Sequence, residues 1–409
     1  MSKNLFFLFF IIFLDTLGIG ILIPIVPQLL GEPSSIYYLL SPEKGDLGFI
    51  LLGLLVASYP LSMFFASPIL GALSDKYGRK PILVISILGT SLSYFVFAFA
   101  IFTKNIPLLF ISRIVDGATG GNISVAQAAI ADLTPPEDRT KNYGMMGSVF
   151  GLGFIFGPFL SGTLSNPSIS SFFNASTPFI FSGFLAFLSA FSMIYFFKES
   201  IKEKFKDRKI SFFASIQNLA KMQKFTHLRF LFVVSFLFTM GLTFYTSFFN
   251  VYLTNEFNFS SVDIGNFFAY VGVWIILTQF FVVRNMPKRF SETDVLGPAY
   301  ILCGMGILLF LIPDVAWQLF FIVPLAAIPH GIQHANFISL LTKRADENIR
   351  GEVLGVQSSI SSLGQALPPI FAGALAALFN SYMPIVLSAL LIISAGLFFI
   401  FKVQKADIS

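Results

Sequence analysis

The sequence predicts an all-α membrane protein with twelve transmembrane helices, on three observations. Hydrophobic residues make up 55% of the 409 positions and charged residues only 11%, against about 25% charged in a soluble domain, so much of the surface must face lipid. Apolar stretches near the roughly 20 residues that cross a bilayer recur along the whole chain. The basic residues gather in alternate loops, the pattern that orients multi-pass proteins.

The stretches are 4–30, 48–73, 81–102, 107–133, 142–165, 177–198, 228–254, 261–284, 294–312, 316–343, 351–379 and 382–402. The first is too long for a cleavable signal peptide, and no small-residue cleavage site follows it. With residue 1 in the cytoplasm, the cytoplasmic loops and tails hold all but three of the 26 Lys and Arg. Lys44 and Lys104 fall on the other side and Arg113 inside a span. An odd number of spans would destroy this skew, so both termini are expected in the cytoplasm. The same placement assigns the net charge of +5 to membrane orientation and not to nucleic acid. The lone Cys303 excludes an internal disulfide or a cysteine-rich metal site. The 53 Phe residues read as lipid-facing filler.

Residues 199–226 form the longest polar stretch and divide the chain into 1–198 and 227–409, six spans each. Within it Phe212, Phe213, Ile216 and Leu219 recur at helical spacing beside Lys221 and Lys224, the pattern of a short helix on the inner membrane face. The divisions resemble each other: Arg139 and Arg350 are 211 residues apart, and the same offset relates Gly144 to Gly355, Leu152-Gly153 to Leu363-Gly364, Pro158 to Pro369 and Gly162 to Gly373. Internal duplication of this kind marks secondary transporters, whose solute site lies near the bilayer midplane between repeats.

Four motifs carry a family resemblance. Span one opens with Leu14-Asp15-Thr16-Leu17-Gly18-Ile19-Gly20, followed by Pro24 and Pro27. Gly71-Ala72-Leu73-Ser74-Asp75-Lys76-Tyr77-Gly78-Arg79-Lys80 joins spans two and three and is the most specific of the four. Span four carries Arg113 with Gly117, Gly120 and Gly121, and span five carries Gly147, Gly151, Gly153, Gly157-Pro158 and Gly162. With these the chain resembles the major facilitator superfamily and, within it, the twelve-span drug/proton antiporters, nearest the tetracycline-efflux pumps. The resemblance covers nearly all of the first 200 residues and thins afterwards. It implies the major facilitator fold of two pseudo-symmetric six-helix bundles. It also implies a conformational latch of Gly71, Asp75, Gly78, Arg79 and Asp132, in which Asp75 meets the start of span eleven near Gly351 and Arg79 meets Asp132. In the residues' own terms, the glycines of span five (Gly147, Gly151, Gly157 and Gly162) let helices approach closely, while Pro158 removes one backbone hydrogen bond.

Charges inside spans are rare, costly and usually functional. Asp15 lies about 11 residues, roughly 16 Å, into span one. Arg113 enters span four from the other side, roughly 9 Å down, which brings the two to similar heights. Asp15 is then either a fixed partner of Arg113 or a carboxylate that loads and unloads a proton, and Asp116, one turn from Arg113, either holds the arginine or shares the proton. These three form the expected proton-coupling group. In span ten, His330, Gln333 and His334 share one face near mid-bilayer. Asn122, Gln127, Tyr245 and Asn250 are further candidates for the solute cavity, and interhelical hydrogen bonding accounts equally for all of these polar groups. No carboxylate or thiolate accompanies the histidines in their span, so no metal site is assigned.

Departures from the tetracycline pumps are specific. Ser93 stands where span three would carry an acid, span eight has no histidine, and Asp294 only begins span nine. They count against tetracycline itself as the solute and leave the transporter class intact. No nucleophile–base pair marks an enzyme, and no Gly-x-x-x-x-Gly-Lys-[Ser/Thr] run marks ATP use. The expectation is a monomeric, multi-pass protein of the cell inner membrane. It needs no cofactor and exports a drug-like or amphipathic small molecule at the expense of a proton gradient; export of a siderophore or other metabolite, or nutrient import, on the same fold is the alternative.

Overall fold

In a computed structural model the described residues are 3–41, 45–135, 139–201, 211–225, 227–283, 290–345, 350–380 and 382–404. Among them every regular element is helical: α1 (Lys3–Leu30), α2 (Gly45–Tyr77), α3 (Arg79–Phe102), α4 (Ile106–Gly120), α5 (Asn122–Leu133), α6 (Arg139–Leu164), α7 (Thr177–Phe196), α8 (Ala214–Lys221), α9 (Arg229–Phe257), α10 (Ser261–Leu277), α11 (Glu292–Leu309), α12 (Ala316–Arg344), α13 (Arg350–Leu378) and α14 (Met383–Phe399). A bilayer leaves backbone groups no water to bond, so continuous helices are the required solution.

Ten of these helices are long and apolar enough to cross a membrane. The two remaining predicted stretches are helical but fall short of that measure. The stretch 107–133 is broken at Gly121 into α4 and α5, because the backbone there lies against Ser67 of α2 and leaves a β-carbon only 2.9 Å from it. In α13 the polar run Gln357, Ser358, Ser359, Ser361, Ser362 and Gln365 dilutes the apolar face. The linker helix α8 forms as the spacing predicts. Ser215 donates its hydroxyl to the Phe64 carbonyl of α2, Asn218 donates to Ser359 Oγ of α13 at 3.4 Å, and Phe212 stacks on Phe65. Residues 202–210 and 226 of the linker lie outside the described residues.

Phenylalanine is more than filler. Phe6, Phe99, Phe102 and many others are exposed, as lipid-facing residues must be, yet nine of the twelve largest fully buried side chains are also Phe. Phe249 alone contacts the rings of Tyr245, Tyr252, Phe267, Phe268 and Phe310. Such edge and offset ring pairs add specificity where lipid supplies no hydrophobic drive between helices.

The glycines decide how the helices meet. Gly157 of α6 lies against Gly20 of α1, where an added β-carbon would sit 2.7 Å from the partner Cα. A β-carbon on Gly265 of α10 would stand 2.6 Å from the Pro158 carbonyl of α6, and one on Gly53 of α2 would stand 2.1 Å from the Pro369 carbonyl of α13. Likewise Gly153 of α6 packs on Thr16 of α1, and Gly364 of α13 packs on Thr239 of α9. The segments that repeat in sequence therefore make matching contacts.

These tight approaches share one end of the molecule. Nearer the Lys- and Arg-rich end, Gly71 and Gly147 have no described residue within 4 Å of an added β-carbon, and Gly355 has among the described residues only the Asn218 amide, at 3.8 Å. The helices 3–196 and 229–399 thus meet closely at the end away from the basic residues.

Candidate functional site

At the basic end, Gly78 sits at φ 113°, a left-handed conformation that a residue with a side chain adopts only under strain. It ends α2 and starts α3, which turns Arg79 back under the helix end. Arg79 is buried, with Nη1 2.6 Å from Asp75 Oδ1 and 2.6 Å from Ser74 Oγ, and Nε 3.1 Å from Asp132 Oδ2. The backbone N–H groups of Arg79 and Lys80 donate to Glu199 at 2.9 and 3.2 Å, the orphan donors of a helix start meeting an anion. Glu199 is a partner the sequence did not signal, since it lies 120 residues away. The surroundings of the Gly351 region at the start of α13 lie outside the described residues.

Deeper in the bundle, Asp15, Arg113 and Asp116 are all buried. Arg113 donates through Nη1 to Asp116 Oδ2, one turn along α4, and its guanidinium stacks over the Tyr59 ring at 4.7 Å. The fixed Asp15–Arg113 pair, one of the two sequence alternatives, is not formed. Helical spacing gives Asp116 the shorter reach, and it holds the arginine. Asp15 instead faces the Asn122 amide and feels the charge of Asp116, and its Oδ2 has no hydrogen-bond partner. Asn122 lies against it short of hydrogen-bond geometry, with both amide atoms unpartnered. Ser93 donates to the Thr90 carbonyl at 2.7 Å and Thr90 shares a hydrogen bond with Thr119 at 3.0 Å, which brings both hydroxyls beside Asp116.

Tyr59 and Tyr94 complete this group, and both are buried within the field of Asp15, Asp116 and Arg113. No charge or motif in the sequence singles them out. The available signal was the glycines: Gly18 makes room for the Tyr94 hydroxyl and Gly120 for the Tyr59 hydroxyl, at 1.5 and 2.4 Å from an added β-carbon.

The span-ten group forms separately, and among the described residues no hydrogen bond or ion pair joins it to Asp15, Arg113 or Asp116. His330 stacks on Phe238 at 5.9 Å with its Nδ1 unpartnered. Gln333 donates to Tyr300 Oη at 3.0 Å, leaving its own oxygen unpartnered. His334 is exposed, one turn along α12 from His330. Tyr245 stacks with Phe249 and Phe310 in the aromatic core. Asn250 donates to the Ile23 carbonyl, tying α9 to α1. Gln127 is exposed on α5. On α6, Gly151 meets Ile276 of α10 at 3.4 Å, and the Gly162 carbonyl accepts from Ser165 Oγ at 3.4 Å. Among the described residues no group of three His, Cys, Asp or Glu is placed to hold a metal ion.

Comparison with known proteins is consistent from end to end. The Major Facilitator Superfamily model matches residues 8–367 and again 231–408. The class H tetracycline resistance protein of Pasteurella multocida is 29% identical over 379 residues, covering 90% of this chain and 88% of that protein. The quinolone resistance protein NorA of Staphylococcus aureus is 28% identical over 379 residues, covering 92% and 90%. Among solved structures, the human organic anion transporter MFSD10 superposes with a TM-score of 0.75 at 20% identity over 98% of this chain and 100% of that one. A D-xylose–proton symporter gives 0.74 at 15% over 97% of each. The fold, the repeat and the match along the whole chain place this multi-pass membrane protein among transporters and not enzymes: it belongs to the Major Facilitator Superfamily.

Proposed function

We propose that this chain is a proton-coupled exporter of a drug-like or amphipathic small molecule. In this reading twelve spans form bundles 1–198 and 227–409, joined by the 199–226 linker, in a monomer of the bacterial inner membrane with both termini in the cytoplasm. No cofactor takes part. The resistance activities named for the tetracycline and quinolone relatives support export of such compounds.

One observation carries the proposal: two buried carboxylates share one buried guanidinium. Arg113 neutralises Asp116, and Asp15 is left without a counter-charge. An uncompensated buried charge is costly, and binding a cation relieves it; a proton is the cation that needs no further ligands. A protonated Asp15 suits a closed site and a charged one suits a hydrated, open site, so alternation of the bundles moves the proton. The Arg79 cluster holds the cytoplasmic ends of α2, α3 and α5 as one rigid unit during that movement. Unpartnered polar atoms on Asn122, His330 and Gln333 give the solute hydrogen-bonding positions on an otherwise apolar wall.

Everted vesicles energised by respiration test the reading. Fluorescent cationic and amphipathic compounds are expected to accumulate, to release protons on addition, and to leak out when an uncoupler is added. Accumulation that survives the uncoupler, or compounds that enter only down their own gradient, overturns proton coupling.

A further inference from the structure

Glu32 lies two residues beyond α1, at the closed end of the molecule, and is only 8% exposed. Its carboxylate borders a cavity of about 310 Å³. One wall is Gln28, Tyr37, Ser165 and Asn166, from the ends of α1 and α6 and the turns after them. The other is Phe259 and Ser260, in the turn between α9 and α10. The cavity therefore sits on the seam where α1 and α6 close on α9 and α10.

Glu32 Oε1 has no hydrogen-bond partner. The Thr254 hydroxyl, across the seam at the end of α9, favours its charged form, but burial outweighs it and pushes the carboxyl up to about 7. Among the described residues the neighbouring groups offer no counter-charge. Tyr37 donates its hydroxyl to the Ser165 carbonyl at 3.1 Å, and the Asp263 carboxylate accepts from the N–H and hydroxyl of Ser260 at 2.9 and 2.6 Å. Glu256, near the end of α9, is exposed and of the same sign. Among the described residues no Lys, Arg or His lines the cavity.

We propose that Glu32 is a proton-binding site that fastens the closed end: neutral Glu32 lets α1 and α6 seat against α9 and α10, and its ionisation parts them. The site is distinct from the Asp15 group and requires no solute, so it stands whether or not the export reading holds. An open seam hydrates Glu32 and returns it to the ordinary glutamate range near pH 4.3. The closed arrangement, which holds the proton up to about pH 7, is then fully favoured below about pH 4. That preference falls between about pH 4 and about 7, by on the order of 10²-fold in the closed-to-open ratio, and levels off above.

The test uses the full chain in lipid nanodiscs with Cys303→Ala and spin labels on Ser168→Cys and Asp314→Cys, both exposed at the closed end. Distance distributions are measured from pH 4.5 to 9. The short-distance population is expected to fall from the acid end of that range to about pH 7 and to level off above it, and Glu32→Gln is expected to hold it high throughout. A Glu32→Gln protein that follows the parent curve, or a parent whose distances are unchanged between pH 4.5 and 7, overturns the proposal. Thr254→Val provides a second check that leaves Glu32 in place. Loss of the hydroxyl that favours the charged form should carry the fall on to higher pH before it levels off, and an unmoved levelling-off point also overturns the proposal.

Discussion

The backbone carbonyl of Pro158 stands 2.6 Å from the point a β-carbon would occupy on Gly265, and its counterpart, Pro369 on Gly53, leaves 2.1 Å. Each proline carbonyl lacks the usual i+4 partner only when proline follows it, so here the fit is steric: a helix turn of one segment seats in a notch of the other. The two contacts are related by the repeat, and both lie at the closed end.

Gly53→Leu should keep that end from closing. Overpacking costs about 1–3 kcal/mol, which shifts a two-state equilibrium by roughly 5- to 150-fold. Purified yield should hold while transport in vesicles drops at least about tenfold, and the open population should rise in spin-label distances. Normal transport by Gly53→Leu would mean that the seam is not a moving surface.

Asp15→Asn should separate binding from coupling. The amide keeps the shape beside Asn122 but takes up no proton. Uphill efflux is expected to fall by on the order of 10²-fold, while downhill solute exchange persists. Retained uphill efflux in proteoliposomes with an imposed pH gradient would remove Asp15 from the coupling step.

Arg113→Leu leaves Asp116 buried and alone, a change that costs about 3–5 kcal/mol. The melting temperature in detergent should drop sharply. Arg113→Leu with Asp116→Leu should recover most of it, because a well-packed apolar pair replaces the ion pair, yet transport should stay absent. Equal melting temperatures for the single and double variants would contradict the geometry.

Gly78→Ala forces a side chain into a φ of 113°, at a cost of about 1–3 kcal/mol. Arg79 then loses its orientation toward Asp75 and Asp132. Transport is expected to decline several-fold with expression intact, and Asp132→Asn should reproduce the decline. A Gly78→Ala protein with parental rates would show that the turn is not strained in use.

Much of this was legible in the sequence because lipid imposes simple rules. Apolar length located ten stretches that the structure forms as helices long and apolar enough to cross a membrane. The glycine–proline pattern of span five pointed to close contact, now seen at Gly157 and Gly20. Partner choice was less legible. Similar depth made Asp15 a candidate for Arg113, but a neighbour one turn along the same helix needs no tertiary placement to reach it, and Asp116 prevailed. Tyr59, Tyr94 and Glu199 were missed because their roles depend on which helices adjoin. Tyr245, read as a polar wall residue, is held instead by two phenylalanine rings whose positions periodicity does not give. Gly121 was counted as one motif glycine among several, whereas the approach of Ser67 makes it a helix break.

The strap helix α8 grips the main chain of α2 through Ser215 and a side chain of α13 through Asn218. Any movement that shifts α2 and α13 relative to each other must stretch, slide or release one of these handholds, so the strap is a tether between them.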